Sequence, residues 1–345
     1  MSRPFARLGL IAVVGAAGLL LPALPARSAD VYAGKTIDII VGSAPGGGYD
    51  IYSRTIARHM AAHIPGNPAI IVKNMPGAGS GRTAQFIASI APKDGTVIGA
   101  VFPGAIINPL LDEHTSVKYQ PVDFAYLGTA DNGTRICATY ANSKIKTFAD
   151  ARARKAVVGA SAAGGSTKDY ALMLNHTAGA KFDVVTGYKG SLDITLAAER
   201  GEVDGLCGWD WSSVKSQKSD WLRDHKLNLL VQVSLEPEAE LTKLGVPPVW
   251  QFIPDADDRK AVELVVGQQV FQRPYIAPPG TSADRVEILR SAFMATMHDP
   301  AFLADAEKTR IDVAPLPGAK VQDTVARLYA TPSAIVARAR RIIKP

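Results

Sequence analysis

The stretch TIDIIVGSAPGGGYD, residues 36–50, decides the fold of this 345-residue chain. Its β-branched run from Thr36 to Val41 predicts a buried strand, the three glycines that follow predict a tight turn, and the apolar spacing from Ile51 to His63 predicts a helix. Asp50 is the predicted N-cap residue of that helix, and Pro65-Gly66 is its predicted stop. A strand that runs through a glycine-rich turn into a helix is the basic unit of an α/β sheet.

The same unit recurs along the chain. Ala69 to Val72 is a predicted strand, residues 74–81 are a glycine-rich turn, and Arg82 to Ala91 is a predicted helix before a third strand at Thr96 to Val101. From Phe124 to Tyr140 the chain is strand-like without a long intervening helix, which predicts a crossing into a second lobe. Further strands are predicted at 156–159, 183–187, 203–207 and 227–233, and further helices at 167–177, 192–200, 256–266, 283–297 and 321–329.

This order predicts an α/β protein with two lobes, each a βαβ-built sheet flanked by helices. The first lobe is expected to be discontinuous, formed by residues 29–132 plus 235–345, and the second lobe to span residues 133–234. Ligand sites in such folds lie outside the carboxyl ends of the strands and between lobes. The glycine-rich turns fall at those ends.

Residues 1–28 differ from the rest of the chain. Arg3 and Arg7 precede an apolar run from Leu8 to Leu21 that is followed by prolines and small residues, the pattern of a secretory signal peptide. Cleavage is expected after Ser28, with Ala26 as the alternative. Because the run of about 14 residues is shorter than a bilayer span, the mature protein is expected to be exported and soluble.

The charge distribution argues against a nucleic-acid-binding protein. Loss of Arg3, Arg7 and Arg27 with the signal peptide lowers the formal charge from +6 to +3. The remaining basic residues are scattered, apart from a cluster in the last helical stretch that we interpret as a solvated helix face. No nucleic-acid partner is therefore expected.

The two cysteines, Cys137 and Cys207, do not have the spacing of a metal site. In an oxidising compartment they can form a disulfide. Two buried free thiols in adjacent strands are the alternative, and the sequence leaves both open.

The turn at 44–50 has the composition of an anion site, because glycines let the backbone approach a ligand and direct helix N-terminal amides towards it. A similar turn spans 76–81, and small-residue turns at 161–167 and 187–191 also precede predicted helices. A plain tight turn is the alternative for each one alone. Neither of the first two turns fits a nucleotide-binding motif, so no phosphate cofactor is expected.

The sequence offers little for catalysis. GxSxG and HExxH are absent, and neither cysteine has an evident histidine partner, so the chain is not expected to be an enzyme. Trp209 and Trp211 follow a predicted strand and either form the wall of a binding cleft or pack in the core.

Together, five groups of residues resemble the periplasmic substrate-binding proteins of tripartite tricarboxylate transporters, the Bug or TctC-like receptors. They extend over nearly the whole mature chain: residues 39–50 with APGGG at 44–48, NMPGAG at 74–79, APKDGT at 91–96, YKGS at 188–191 with GEVD at 201–204, and APPGT at 277–281.

The resemblance implies a type II periplasmic-binding-protein fold, a clamshell that closes on a small carboxylate or dicarboxylate in the periplasm. It implies delivery to inner-membrane permease subunits, with no reaction and no cofactor, and a monomer is expected. A ligand-sensing co-receptor for a membrane signalling protein is the alternative. Whether the ligand is aliphatic or aromatic stays open.

The family's binding turns correspond to particular residues here. Turns of the first lobe would grip one carboxylate through Gly47, Gly48, Tyr49, Ala78, Gly79 and Ser80. Turns of the second lobe would contact the distal end of the ligand through Ser161, Gly165, Ser166, Thr167, Lys189 and Ser191. Asp50, Trp209 and Asp210 complete the candidate ligand-binding residues.

Overall fold

Two mixed β-sheets, each flanked by helices, form the architecture of the computed structural model. The structure describes residue 1 and residues 31–113, 117–161 and 165–344. Apart from residue 1, the predicted signal peptide lies outside the described residues.

The strands in chain order are β1 (Thr36–Val41), β2 (Ala69–Asn74), β3 (Val97–Ala100), β4 (Ala125–Thr129), β5 (Arg135–Tyr140), β6 (Ala156–Ala160), β7 (Phe182–Thr186), β8 (Gly205–Asp210), β9 (Leu227–Val233), β10 (Pro274–Ala277) and β11 (Leu316–Pro317). The α-helices are α1 (Gly48–Met60), α2 (Gly81–Ser89), α3 (Pro103–Leu111), α4 (Phe148–Ala153), α5 (Ser166–Thr177), α6 (Ser191–Glu199), α7 (Trp211–Gln217), α8 (Ser219–Arg223), α9 (Ala239–Lys243), α10 (Ala256–Val266), α11 (Ala283–Met297), α12 (Pro300–Thr309), α13 (Gly318–Tyr329) and α14 (Ser333–Ile342).

The first sheet has the strand order β11-β4-β10-β3-β1-β2, with β1 parallel to β2 and β3, and β10 antiparallel to β3 and β4. The second sheet has the order β7-β6-β8-β5-β9, with β6 parallel to β7 and β8, and β5 antiparallel to β8 and β9. The chain passes from the first sheet to the second between β4 and β5. It returns after β9 to supply β10 and β11. The predicted α/β clamshell is therefore confirmed.

Apolar side chains are buried on both faces of each sheet, where they form the core. Helix α10 lies between β9 and β10 in sequence and α14 follows β11, so both fall in the segment predicted for the first lobe. They nevertheless contribute Val262 and Ala339 to the cluster that contains Cys137 and Val158 of the second sheet. The lobe limits at 132/133 and 234/235 stay a prediction.

Cys137 on β5 and Cys207 on β8 form a disulfide between neighbouring antiparallel strands. This structure therefore favours the bonded state over two free thiols.

In the described part of the chain, no helix is both long enough and apolar enough to cross a membrane.

Candidate functional site

One cavity lies where turns of both sheets meet. Its empty volume, which includes the open solvent at its mouth, is about 660 Å³. The predicted residues that line it are Gly47, Gly48, Tyr49, Ser161, Ser166, Thr167, Ser191, Trp209 and Asp210. Predicted residues of both lobes thus line one cavity, which we call the main cavity.

A second cavity adjoins the first, since Phe102 and Ser161 line both. It is more open and has an empty volume of about 820 Å³. The predicted residues Ala78, Gly79, Ser80 and Lys189 line this side cavity together with Arg82. The candidate binding residues are therefore divided between two neighbouring cavities.

Helix N-termini converge on the main cavity. Residues in the first turns of α1, α3, α5 and α6 line it: Gly48, Pro103 and Gly104, Ser166 and Thr167, and Ser191. The first amides of a helix lack intrahelical partners and carry partial positive charge. Within the described chain, none of these four helices has a side-chain N-cap hydrogen bond, which suits an anionic ligand.

Asp50 is not the N-cap residue of α1, and that prediction is wrong. The helix begins at Gly48 with Gly47 as its N-cap, because the carboxylate of Asp50 bonds backwards to the Gly46 amide at 2.9 Å. The same carboxylate accepts hydrogen bonds from Arg54 Nε at 3.0 Å and from Asn74 Nδ2 at 2.9 Å. Burial raises the pKa of Asp50, but these hydrogen bonds outweigh it and hold the pKa below its usual value.

Asp50 and Gly165 lie outside the residues that line the two cavities. Asp50 fastens the turn before α1 to β2. Gly165 is the N-cap of α5, and its carbonyl accepts from the amides of Lys168 and Asp169. Both residues therefore shape turns beside the cavities.

Backbone strain is concentrated in the turn at the side cavity. Gly77, Ala78, Gly79 and Ser80 all have positive φ, with values of 48° at Ala78 and 73° at Ser80. Non-glycine residues adopt this conformation rarely, and such strain clusters at functional sites. The buried hydroxyl of Ser80 has no hydrogen-bond partner in the described structure.

A buried ionic cluster adjoins the main cavity. Asp210 accepts a hydrogen bond from Arg135 Nε at its Oδ1 and from Arg273 Nη1 at its Oδ2, each at 2.8 Å. Arg135 and Asp210 line the cavity. Burial raises the pKa of Asp210, but the attraction of Arg273 and Arg135 outweighs it and holds the pKa below its usual value.

Sequence reasoning missed Arg135 and Arg273. Each is a single arginine beside or within a strand that is otherwise apolar, RICATY at 135–140 and PYIA at 274–277. A charged residue is rarely buried without a partner, so an arginine in a buried strand is the signal that could have identified them.

Asp131 lies on the segment that crosses between the sheets. Its Oδ2 accepts from Ser212 Oγ at 3.0 Å and from Tyr52 OH at 3.3 Å. Burial raises the pKa of Asp131 to about 6, although the charge of Arg273 opposes the shift. This carboxyl group therefore titrates near neutral pH.

The two tryptophans have different surroundings. Trp209 lines the main cavity, and its buried Nε1 has no hydrogen-bond partner in the described part of the molecule. Trp211 is buried in the second-sheet core and donates its Nε1–H to Glu240 Oε2 at 2.8 Å. Both tryptophans thus belong to the second-sheet core, and Trp209 also lines the main cavity.

No protein-family model matches the chain. A protein described as "UPF0065 protein in gbd 5'region" from Cupriavidus necator is 34% identical over 145 residues. That alignment spans 41% of this chain and 42% of the relative, so the chain matches about two fifths of the relative's length.

Three similar solved structures cover most of the chain. Rpa4515 of R. palustris with adipate has 18% identity and a TM-score of 0.69, over 88% of this chain and 97% of that chain. MatC from Rhodopseudomonas palustris with bound malate has 19% identity and a TM-score of 0.68, over 90% and 99%. The periplasmic binding protein BugD has 17% identity and a TM-score of 0.68, over 89% and 97%. This chain therefore has the fold of the Bug and TctC-like periplasmic binding proteins, which confirms the expected resemblance at the level of the fold.

Proposed function

We propose that the chain is a periplasmic solute-binding receptor of the tripartite tricarboxylate transporter family. It captures a small carboxylate or dicarboxylate, aliphatic or aromatic, between two lobes formed by residues 29–132 plus 235–345 and by residues 133–234. Hinge closure encloses the ligand, and the closed receptor delivers it to the inner-membrane permease subunits.

The main cavity carries this proposal. Four helix N-termini and the buried guanidinium of Arg135 meet there, and the surrounding turns come from both sheets. Oriented amides and an arginine fork are well suited to a carboxylate. Trp209 Nε1, on a residue that lines this cavity, is a buried donor without a partner in the described structure, and such a group calls for an explanation.

The comparisons support a carboxylate as the ligand class. Two proteins of the same fold are described with adipate and with malate, both of which are dicarboxylates. The partial alignment with the Cupriavidus necator protein supports membership of the Bug family through sequence as well as fold.

Binding without turnover fits the chemistry of the cavity wall. Ser166 Oγ donates to the Gly208 carbonyl at 2.8 Å, and Ser191 Oγ donates to Gln217 Oε1 at 3.0 Å. Nucleophilic catalysis requires a hydroxyl paired with a general base. These hydroxyls are paired with a neutral carbonyl and an amide, so we assign the cavity to binding.

Thermal melting of the mature protein tests the ligand class. The protein is first unfolded and refolded to remove carried-over ligand, and then melted with malate, succinate, adipate, benzoate and terephthalate. An acid at 100 times its Kd should add about 2.7 kcal/mol of stability, a shift of several degrees for a chain of this size. The corresponding neutral amides serve as controls. Absence of any shift in a verified folded protein would contradict the proposal.

Uptake tests the delivery step. Cells that contain the permease subunits should accumulate the radiolabelled acid only when this receptor is present. Uptake that is unchanged after deletion of the receptor would contradict the transport role.

A further inference from the structure

Arg273 belongs to the first-sheet side of the molecule but contacts the second sheet. It directly precedes β10, and its side chain is 1% exposed. Its Nη1 lies 2.8 Å from Asp210 Oδ2 at the end of β8, and its Nη2 lies 2.7 Å from Ser213 Oγ on α7. These contacts tie the two lobes together beside the main cavity.

Two tyrosine rings hold the Arg273 guanidinium in place. The guanidinium carbon lies 4.2 Å from the ring centre of Tyr49 and 4.7 Å from that of Tyr52. Both rings belong to α1 on the first-sheet side, and Tyr49 lines the main cavity. Two rings on the first-sheet side thus orient the guanidinium group that contacts Asp210.

The charge balance at the cavity depends on this contact. Arg135 and Asp210 both belong to the second sheet, and as a pair they are electrically neutral. A neutral pair gives a nearby anion little net attraction. Contact with Arg273 brings a second cation to the same carboxylate, so the three side chains together carry one net positive charge. The neighbouring Asp131, which does not line the cavity, offsets part of this charge when it is ionised.

Arg273 is not among the residues that line the main cavity, whereas Arg135 and Asp210 are. It contacts the cavity wall through Asp210, Ser213 and Tyr49, and Asp210 is the charged residue among these three. Asp131 and Ser212 also neighbour Arg273, and Asp131 lies on the crossing segment rather than on one lobe.

We infer that Arg273 is a positioning residue that makes anion capture depend on lobe closure, because its contact with Asp210 leaves the charge of Arg135 available to the bound carboxylate. This inference rests on the proposed function, since it requires that an anion binds and that the lobes move. It adds a coupling between closure and the electrostatics of the site.

A charge-rescue experiment tests the inference. Adipate affinity, with malate and benzoate in parallel, is measured by titration calorimetry for the wild type, Arg273→Gln, Asp210→Asn and the double variant. Arg273→Gln should weaken binding about tenfold or more, because the Arg135–Asp210 pair that remains is neutral and gives the ligand little net attraction. The added Asp210→Asn should restore affinity to within about threefold of the wild type. If Arg273 has a merely structural role, the affinity losses of the two single variants should add in the double variant. That result would overturn the inference.

Two further variants keep the test decisive if Arg273→Gln does not fold. Arg273→Lys retains the charge and should keep most of the adipate affinity. Asp210→Asn alone should bind adipate more tightly than the wild type, because the cavity wall loses a negative charge. A folded Asp210→Asn protein with adipate binding more than about tenfold weaker would overturn the inference.

Small-angle scattering separates this inference from the proposed function. If the wild type binds none of the three acids, the proposed ligand class fails. The radius of gyration of the ligand-free protein still tests the contact between the lobes. A larger radius of gyration for Arg273→Gln than for the wild type supports the contact as a tie between lobes. An unchanged radius overturns it.

Discussion

Arg273 and Asp210 belong to different sheets, yet their side chains meet at 2.8 Å between Nη1 and Oδ2, next to the main cavity. Because Asp210 also accepts from Arg135 at 2.8 Å, one carboxylate joins the two lobes and borders the cavity at the same time. In the proposed receptor, closure and ligand binding would therefore share a residue.

Substitution of Arg135 should weaken carboxylate binding. Arg135→Gln removes the buried cation from the cavity wall, and a hydrogen bond to a charged group contributes about 1.5–3 kcal/mol, or roughly 10- to 100-fold in Kd. Titration calorimetry with adipate and malate measures the change. Arg200→Gln is the control, since Arg200 is an exposed residue paired with Glu202. Equal affinities for Arg135→Gln and the control would contradict the role of Arg135.

Stability should depend on pH through Asp131. Burial raises the pKa of this carboxyl group to about 6 from an ordinary value of 3.8. The folded state therefore binds the proton more tightly than the unfolded state does. The resulting stabilisation is complete below about pH 4 and is lost as pH rises through 6, a change of about 3 kcal/mol.

Asp131→Asn should remove this pH dependence. The difference in unfolding free energy between the variant and the wild type should shift by about 3 kcal/mol in favour of the variant between pH 4 and pH 8. Urea denaturation at several pH values gives the comparison, with the exposed Asp220→Asn as control. Parallel curves for the wild type and Asp131→Asn would rule out the assignment.

Gly42 should not tolerate a side chain. A Cβ there would lie 1.5 Å from Ser80 Oγ and 2.7 Å from Ser80 Cβ, so rotation of the hydroxyl does not relieve the clash. Gly42→Ala should cost about 1–3 kcal/mol and displace the strained turn at the side cavity.

Gly81→Ala is the matched control for Gly42→Ala. Gly81 has helical φ of −58°, and a Cβ there meets Ala78 Cβ at an ordinary 3.5 Å. Chemical denaturation and calorimetry should show a loss of stability and affinity for Gly42→Ala alone. Similar losses for both variants would mean that the turn is sensitive to substitution for a reason other than the clash with Ser80.

The disulfide should contribute substantially to stability. Cys137 and Cys207 are 70 residues apart, and the chain-entropy model gives about 4 kcal/mol for a loop of that length. Denaturation midpoints of the oxidised protein and of the Cys137→Ala/Cys207→Ala variant measure the difference. Mass spectrometry of the untreated protein gives an independent check, since a free thiol at either position would contradict the bond.

Local patterning was sufficient to predict most of the scaffold. Thr36–Val41 and Leu227–Val233 match their predicted limits because both are short, mainly apolar runs. Helix α1 begins three residues before the predicted Ile51, since its N-cap is the backbone of Gly47 and no side chain signals it. Pro103–Leu111 was missed because it is apolar on most faces and contains Pro109.

The cavity could be predicted only in part. Glycine-rich turns identified residues such as Gly48 and Ser80 because small residues at strand ends are a local signal. Arg273 and Arg135 reach the same carboxylate through tertiary contacts separated by 63 and 75 residues, and local spacing does not encode such a meeting. For the same reason the sequence did not show that Trp209 and Trp211 both pack in the core while Trp209 also lines the cavity.

Titration calorimetry of the refolded wild-type protein tests the central claim most directly. Each acid of the panel is compared with its neutral amide under identical conditions. The account predicts that at least one acid binds with one molecule per chain while its amide does not bind. An amide that binds as tightly as its acid, or a folded protein that binds none of the acids, would contradict carboxylate capture by this cavity.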